Sequence, residues 1–499
     1  MVAENILQGL FHLLRPFNLF LTCLGTLIGI FVGAMPGLSA TMAIALLLPL
    51  TFGLAPESGL SMLVALYMGA MYGGSISAIL IRTPGTPAAA ATVLDGYPMA
   101  QQGQAGKALG VSLVASLIGG LISSIALMSV APALGYLALQ FGPVELFAVA
   151  VLGITIIGSL TQGSAFMGLL SGVLGLLLAM VGMDVITGTP RFTFGRIELF
   201  SGIPFVVALI GLFSLPQAIR LIAQSDGDSP RAGKFSDRML PTWKEFKFLL
   251  PTILRSAFIG IFTGIIPGTG GDTACWFAYN EAKRFSRYKE KFGTGIIEGL
   301  AAPEAANNAV VGGALIPTIS LGVPGSSATA ILLGGLMVHG IMPGPTLMTE
   351  YAKVTYTLIW AVMFSNLALF IMGLLFTRAS IIVTKIKGRA LAPIIIVLCV
   401  IGSFAINNSM FDVMLMFCFG LLGYFMDKIK MPTAPMVLGL ILGNMLSNSL
   451  YQSLLIGQGN PMIFLKNPIA AVFLALALIS IIQATPIFSI LKGKIKRKS

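Results

Sequence analysis

The sequence predicts an all-α polytopic membrane protein. It should have about 10–12 transmembrane helices, further broken or re-entrant helices, and two repeated halves, expected to be inverted. Three observations lead there. Hydrophobic residues make up 56% of the 499 residues and charged residues only 10%, against about 25% charged in a soluble domain. The apolar residues run in long unbroken blocks, not in the strict alternation of a membrane barrel. Two Pro-Gly breaks recur in the same order in both parts of the chain.

The first part carries apolar blocks at 17–35, 38–55, 60–81, 108–139, 144–161, 165–183 and 199–219. The second carries them at 248–266, 309–322, 328–349, 354–377, 390–406, 411–426, 433–456 and 469–490. Between them runs the most polar stretch of the chain, QSDGDSPRAGKFSDRMLPTWKEFK. The expected organisation is therefore a first transmembrane repeat at 1–222, a polar cytoplasmic linker at 223–247 and a second repeat at 248–499. No cleavable signal is evident, because Glu4 precedes the first apolar run.

The net charge of +12 could suggest a nucleic-acid partner in a soluble protein. Here twenty of the 30 Lys and Arg fall in four short stretches, 220–247, 283–291, 378–389 and 492–498. That is the clustering of cytoplasmic loops in a membrane protein. A scheme with all four inside closes on a cytoplasmic C-terminus. Cys23, Cys275, Cys399 and Cys418 are scattered and without a CxxC pair. They read as small buried hydrophobes, neither a disulfide framework nor a metal site.

GAMPGLSAT at 33–41 is matched by GIIPGTGGDT at 264–273, and TPGTPAAAAT at 83–92 by VPGSSATA at 323–330. The offsets are 231 residues from Pro36 to Pro267 and 240 from Pro84 to Pro324. Two ordered pairs at nearly one spacing point to duplication of a half-protein. Proline removes a donor and glycine admits unusual dihedrals, so each break unwinds its helix. Unpaired backbone in lipid costs several kcal/mol per group, so such breaks persist only inside protein or beside water. Helix N-termini there present free N–H groups to an anion. Paired breaks in corresponding places mark the binding site of a secondary transporter.

Each break is polar. The first offers Pro36, Gly37, Ser39 and Thr41; the second Arg82, Thr83, Pro84, Gly85 and Thr86. The third offers Pro267, Gly268, Thr269, Asp272 and Thr273; the fourth Pro324, Gly325, Ser326, Ser327 and Thr329. Ser39, Thr41, Thr86, Ser326 and Ser327, with the Pro-Gly backbone, are expected to contact substrate carboxylates. Arg82 is either a counter-charge for the anion or a snorkelling structural group. Asp272 is either the cap of a helix starting near Thr273 or a cation or proton site. Glu304, Asn307 and Asn308, in AAPEAANNAV, serve either helix-start chemistry after Pro303 or binding. Asp272, Thr273, Asn307 and Asn308 are the expected ion-binding or tip-bracing set. Asp184 and Asp412 read as interfacial or capping groups.

No HExxH, GxSxG or phosphate-cradling loop is present, so neither an enzyme nor an ATP-driven pump is expected. No metal and no cofactor is implied beyond a co-transported Na⁺ or H⁺. A passive anion channel is the alternative; counterflow separates the two, since carriers exchange and open pores do not.

The motifs also resemble a known family. PGTGGDTACWFAYNEAKRFS, APEAANNA, YMGAMYGGSISAILIRTPGTPAAAAT and GAMPGLSAT are similar to the large membrane subunit of the tripartite tricarboxylate transporters, over nearly the whole chain. The resemblance implies a multi-pass carrier of the bacterial inner membrane with two partners. One is a small membrane subunit of about four helices; the other is a periplasmic solute-binding protein that delivers a di- or tricarboxylate. Transport would be driven by a Na⁺ or H⁺ gradient, with no ATP and no nucleic acid involved.

Overall fold

The computed structural model describes residues 2–35, 37–160, 165–184, 188–223, 238–383 and 388–484, without the side chains of 156–160, 376–383, 388, 389, 483 and 484. Pro36, most of the expected linker and the basic tail at 492–498 lie outside the described residues.

In chain order the helices are α1 (Val2–Leu13), α2 (Pro16–Ala34), α3 (Ala40–Leu47), α4 (Pro56–Ile81), α5 (Val93–Gln101), α6 (Ala105–Ala138), α7 (Pro143–Leu160), α8 (Ala165–Ala179), α9 (Phe205–Leu209) and α10 (Leu215–Ala223). There follow α11 (Trp243–Ile265), α12 (Gly270–Phe285), α13 (Ile297–Leu321), α14 (Ser327–Val338), α15 (Ala352–Val383), α16 (Gly388–Asn407), α17 (Met410–Lys428), α18 (Thr433–Ile456), α19 (Ile463–Lys466) and α20 (Pro468–Ala484). The only strands among the described residues are Gly182–Met183 and Pro190–Arg191, a short antiparallel ribbon. Nine helices among the described residues are long and apolar enough to cross a membrane. The all-α polytopic expectation is met. Cys275 and Cys399 are buried and Cys23 is half-buried, but Cys418 is exposed, unlike the buried role expected of it.

Local chemistry starts these helices. Proline occupies the first turn of α2 and α4, where its missing N–H is no loss. Thr242 and Glu245 close a capping box on α11, with the Thr242 N–H donating to Glu245 Oε2 at 2.8 Å. Asp412 sits in the first turn of α17 behind the Ser409 cap, and Asp184 pairs with Arg191 at 3.0 Å.

The chain forms two compact units, Met1–Gly135 with Gln217–Leu398, and Tyr136–Pro216 with Cys399–Ser499. The two units alternate along the chain, and each draws on sequence from both sides of the polar stretch. In the second unit α18 packs on α7 and α8, and α20 on α7. A Cβ on Gly175 would collide there with the Met436 carbonyl, so small residues set the helix spacing.

The first unit holds all four breaks. Its strongest helix pairs are α2 with α4 and α11 with α13. In each pair the earlier helix ends at one Pro-Gly break and the later helix at another. Gly25, Gly29 and Gly33 lie at GxxxG spacing on α2 and touch the α4 backbone at Met62, Leu66 and Ala70. Gly260 and Gly264 do the same for α11 against α13. Such close backbone approach is how helices associate where lipid removes the hydrophobic drive.

Candidate functional site

The four breaks differ in how they are built. α2 ends at Ala34, and after Gly37, at φ +86°, Ser39 caps α3 by accepting from the Met42 N–H at 3.1 Å. α4 ends at Arg82, which takes the left-handed conformation, φ +57°. α11 ends at Ile265 and α12 begins at Gly270, so the third break is only four residues long. α13 ends at Gly322, also left-handed, and Ser326 caps α14 in a capping box with Thr329. Arg82 and Gly322 thus close corresponding helices with the same backbone turn, one at a residue type that resists it and one at a type that does not.

Within each half the two breaks touch in the same way. A Cβ on Gly85 would collide with the Gly33 carbonyl, and a Cβ on Gly325 with the Gly264 carbonyl. Gly33 and Gly264 each lie three residues before the proline of the earlier break.

Breaks from the two halves also meet. Thr41 Oγ1 and Ser327 Oγ lie 3.1 Å apart across 286 residues of chain. The Gly268 N–H donates to the Gly325 carbonyl at 2.9 Å. Gly271, in the first turn of α12, packs against Ala88 just after the second break and against the Asn307 amide oxygen. Tyr67 of α4 reaches Ser326 Oγ at 3.2 Å. The first, third and fourth breaks are therefore in direct contact, and the second joins through the turn that follows it.

The expected site residues divide by what their polar atoms already do. Ser39 and Ser326 cap helices. Thr269 donates to the Thr263 carbonyl and to the Ile266 carbonyl at 2.9 Å, bracing the end of α11. Ser327 and Thr41 engage each other across the halves. Thr86 is buried, and its hydroxyl has no partner among the described residues. Asn307 and Asn308 are fully buried; their amide nitrogens donate to the Met71 carbonyl at 3.0 Å and the Met68 sulfur at 3.5 Å. Both amide oxygens lack a partner among the described residues. Buried acceptors of this kind are uncommon, and each is costly unless something binds it.

Two alternatives are corrected. α13 begins at Ile297, so Pro303 lies inside it and Asn307 and Asn308 sit in mid-helix. Helix-start chemistry does not explain them. Thr269, without a side-chain cap bond, is the N-cap of α12, so Asp272 lies in the first turn, half-buried, and Thr273 is helical. Arg82 is exposed, and its guanidinium lies 5.8 Å from the Tyr97 ring centroid. Among the described residues it is not bonded to the other tips.

The sequence reading missed two polar centres. Asp95 is fully buried and accepts from Tyr279 Oη and from the N–H groups of Gly293, Gly295 and Ile296 at 2.8–2.9 Å. It clasps the loop between α12 and α13. Tyr67 was the other. Each is a single polar residue in an apolar or loop setting, with no motif to flag it.

A multi-pass helical membrane protein whose interrupted helices meet tip to tip is the class that the fold and site define. The chain belongs to the tripartite tricarboxylate transporter TctA family, which matches residues 19–438. It is 37% identical over 486 residues, 97% of this chain and 96% of the relative, to an uncharacterized 52.8 kDa protein in the TAR-I ttuC' 3' region of Agrobacterium vitis. It is 35% identical over 225 residues, 45% of this chain and 93% of the relative, to an uncharacterized protein in the TAR-II ttuC' 3' region of the same organism. No solved structure matches. The protein is accordingly a membrane component of a tripartite transporter.

Proposed function

We propose that the chain is the translocating subunit for a di- or tricarboxylate or a related organic acid anion. The observation that carries this is the meeting of breaks from both halves, through Thr41 with Ser327 and Gly268 with Gly325. Helix N-termini and hydroxyls gathered at one place suit carboxylate oxygens. In this reading Thr41, Thr86, Ser327 and the Pro-Gly backbone contact the substrate, Ser39 and Ser326 cap the helix N-termini that face it, and Arg82 guards the approach. The unpartnered amide oxygens of Asn307 and Asn308, with Asp272 and Thr273, serve the coupling ion or brace the tips.

The reading extends to the rest of the system. The protein works in the bacterial inner membrane with its C-terminus in the cytoplasm. A periplasmic binding protein delivers the anion, and a small membrane subunit of about four helices completes the assembly. A Na⁺ or H⁺ gradient drives alternating access. The same helix-break-helix order in both halves, and the alternation of the two compact units along the chain, support descent from a duplicated half. We take the halves to be inverted.

Proteoliposomes holding the chain with both partners test the reading. Uptake should collapse when Na⁺ and proton gradients are both abolished, and counterflow should persist. Uptake that requires ATP, or leaks with no exchange, rejects it.

A further inference from the structure

We propose that Glu304 is a proton-carrying group, loaded and unloaded through a hydroxyl relay formed by Ser112 and Ser75. The proposal rests on the transport reading above for its purpose, though not for its chemistry.

Glu304 is fully buried in α13, one turn before Asn307 and Asn308. No cation pairs with it among the described residues. Its neighbours are hydroxyls from the first half of the chain. Thr92 donates to Oε1; Ser112 Oγ lies 2.8 Å and Ser116 Oγ 3.4 Å from Oε2. Ser112 Oγ is also 2.8 Å from Ser75 Oγ, which lies 2.6 Å from the Tyr72 carbonyl. An ionised carboxyl without a partner is expensive in such surroundings.

The line Glu304 Oε2, Ser112, Ser75, Tyr72 carbonyl has three contacts at hydrogen-bond length, and its hydroxyl protons can be arranged to serve either state of the carboxyl. When Oε2 carries a proton it donates to Ser112, Ser112 to Ser75 and Ser75 to the Tyr72 carbonyl, so every contact is filled. When the acid is ionised, Ser112 turns its proton from Ser75 to Oε2, and Thr92, Ser112 and Ser116 all donate to the carboxylate. Both states are thus provided with bonds, at the expense of one Ser112–Ser75 bond. The proton comes from water and returns to it; no bond of the substrate changes.

Of the titratable groups on the surrounding elements, α4 carries Glu57, Tyr67 and Tyr72, α5 Asp95 and Tyr97, and α12 Asp272, Cys275, Tyr279, Glu281, Lys283 and Arg284, while α13 itself carries Glu298, bonded to Ser286 at 2.6 Å. Of the cations of α6 and α11, which are Lys107, Lys244, Lys247 and Arg255, Lys107 pairs with Glu245 at 2.5 Å, Lys247 lies over the Trp243 ring and Arg255 over the Phe285 ring. α14 and the short turns at Pro87–Ala89 and Pro345–Met348 carry no titratable residue.

Two measurements test this. In infrared difference spectra of the purified chain, raising pH should remove a protonated-carboxyl band that Glu304→Gln lacks. In the complete assembly in proteoliposomes, Glu304→Gln should keep counterflow and lose accumulation driven by an imposed pH gradient. A pH-insensitive band, wild-type accumulation by Glu304→Gln, or wild-type uptake indifferent to the pH gradient overturns the proposal. If the wild type shows no transport at all, the transport reading fails while the infrared band still decides the proton site. Should Glu304→Gln not fold, Ser112→Ala and Ser75→Ala each must shift the midpoint of the band's titration; an unmoved midpoint overturns the relay.

Discussion

Ser326 and Ser327 are neighbours with different jobs. Ser326 is buried, accepts from the Thr329 N–H and caps α14, whereas Ser327 meets Thr41 across the halves. Ser326→Ala should lower thermal stability by about 1 kcal/mol, the usual cost of a lost cap. Ser327→Ala should leave stability alone and raise the apparent substrate constant by roughly tenfold or more, because a hydrogen bond to a charged group is worth about 1.5–3 kcal/mol. Thermal unfolding in detergent and uptake kinetics, run on both variants, separate the two roles. Equal effects of both on both measurements would contradict the division. Arg82 is the other residue whose place matters. Its left-handed backbone costs roughly 1–2 kcal/mol relative to the ordinary helical region, and the corresponding Gly322 avoids that strain.

At the scale of elements, the breaks hold together because backbone meets backbone. Gly85 against Gly33 and Gly325 against Gly264 leave no room for a methyl group. Gly85→Ala and Gly325→Ala should each destabilise the protein by about 1–3 kcal/mol, the range of an overpacked core. Gly53→Ala, with open space around it and no left-handed backbone, should stay within about 0.5 kcal/mol. Yield and unfolding temperature of the purified variants check this. A harmless Gly85→Ala would mean that the tips are looser than the contacts imply. The same pairing in both halves makes the expectation symmetric: the two alanine variants should behave alike.

For the molecule as a whole, the question is whether the two halves must part for transport. Thr41→Cys with Ser327→Cys, in a chain whose four native cysteines are replaced, places two thiols where hydroxyls now lie 3.1 Å apart. Oxidation should join them, and protease cleavage of the intervening chain should then fail to separate the fragments. Uptake should stop on oxidation and return on reduction. Full uptake by the crosslinked protein would show that these tips stay together throughout the cycle.

The sequence by itself determined the class. Apolar block length and scarcity of charge admit little but a helical membrane protein, since a bilayer demands internally satisfied backbone. It also located the breaks, because proline and glycine act locally on φ and on the donor set. It misjudged α13, reading a short block at 309–322 where a helix of 25 residues begins at Ile297. Glu304, Asn307 and Asn308 made the stretch after Pro303 look like a helix start, though all three are buried in mid-helix. Hydropathy cannot tell a polar residue facing water from one facing partners brought by other helices. Only the tertiary structure decided that Thr92, Ser112 and Ser116 surround Glu304, that Thr41 meets Ser327, and that Asp95 ties down the loop before α13. Those pairings span about 190 to 290 residues, and no local propensity encodes them. They arise from close packing, which brings glycine-lined helices together and so fixes which polar groups share a space.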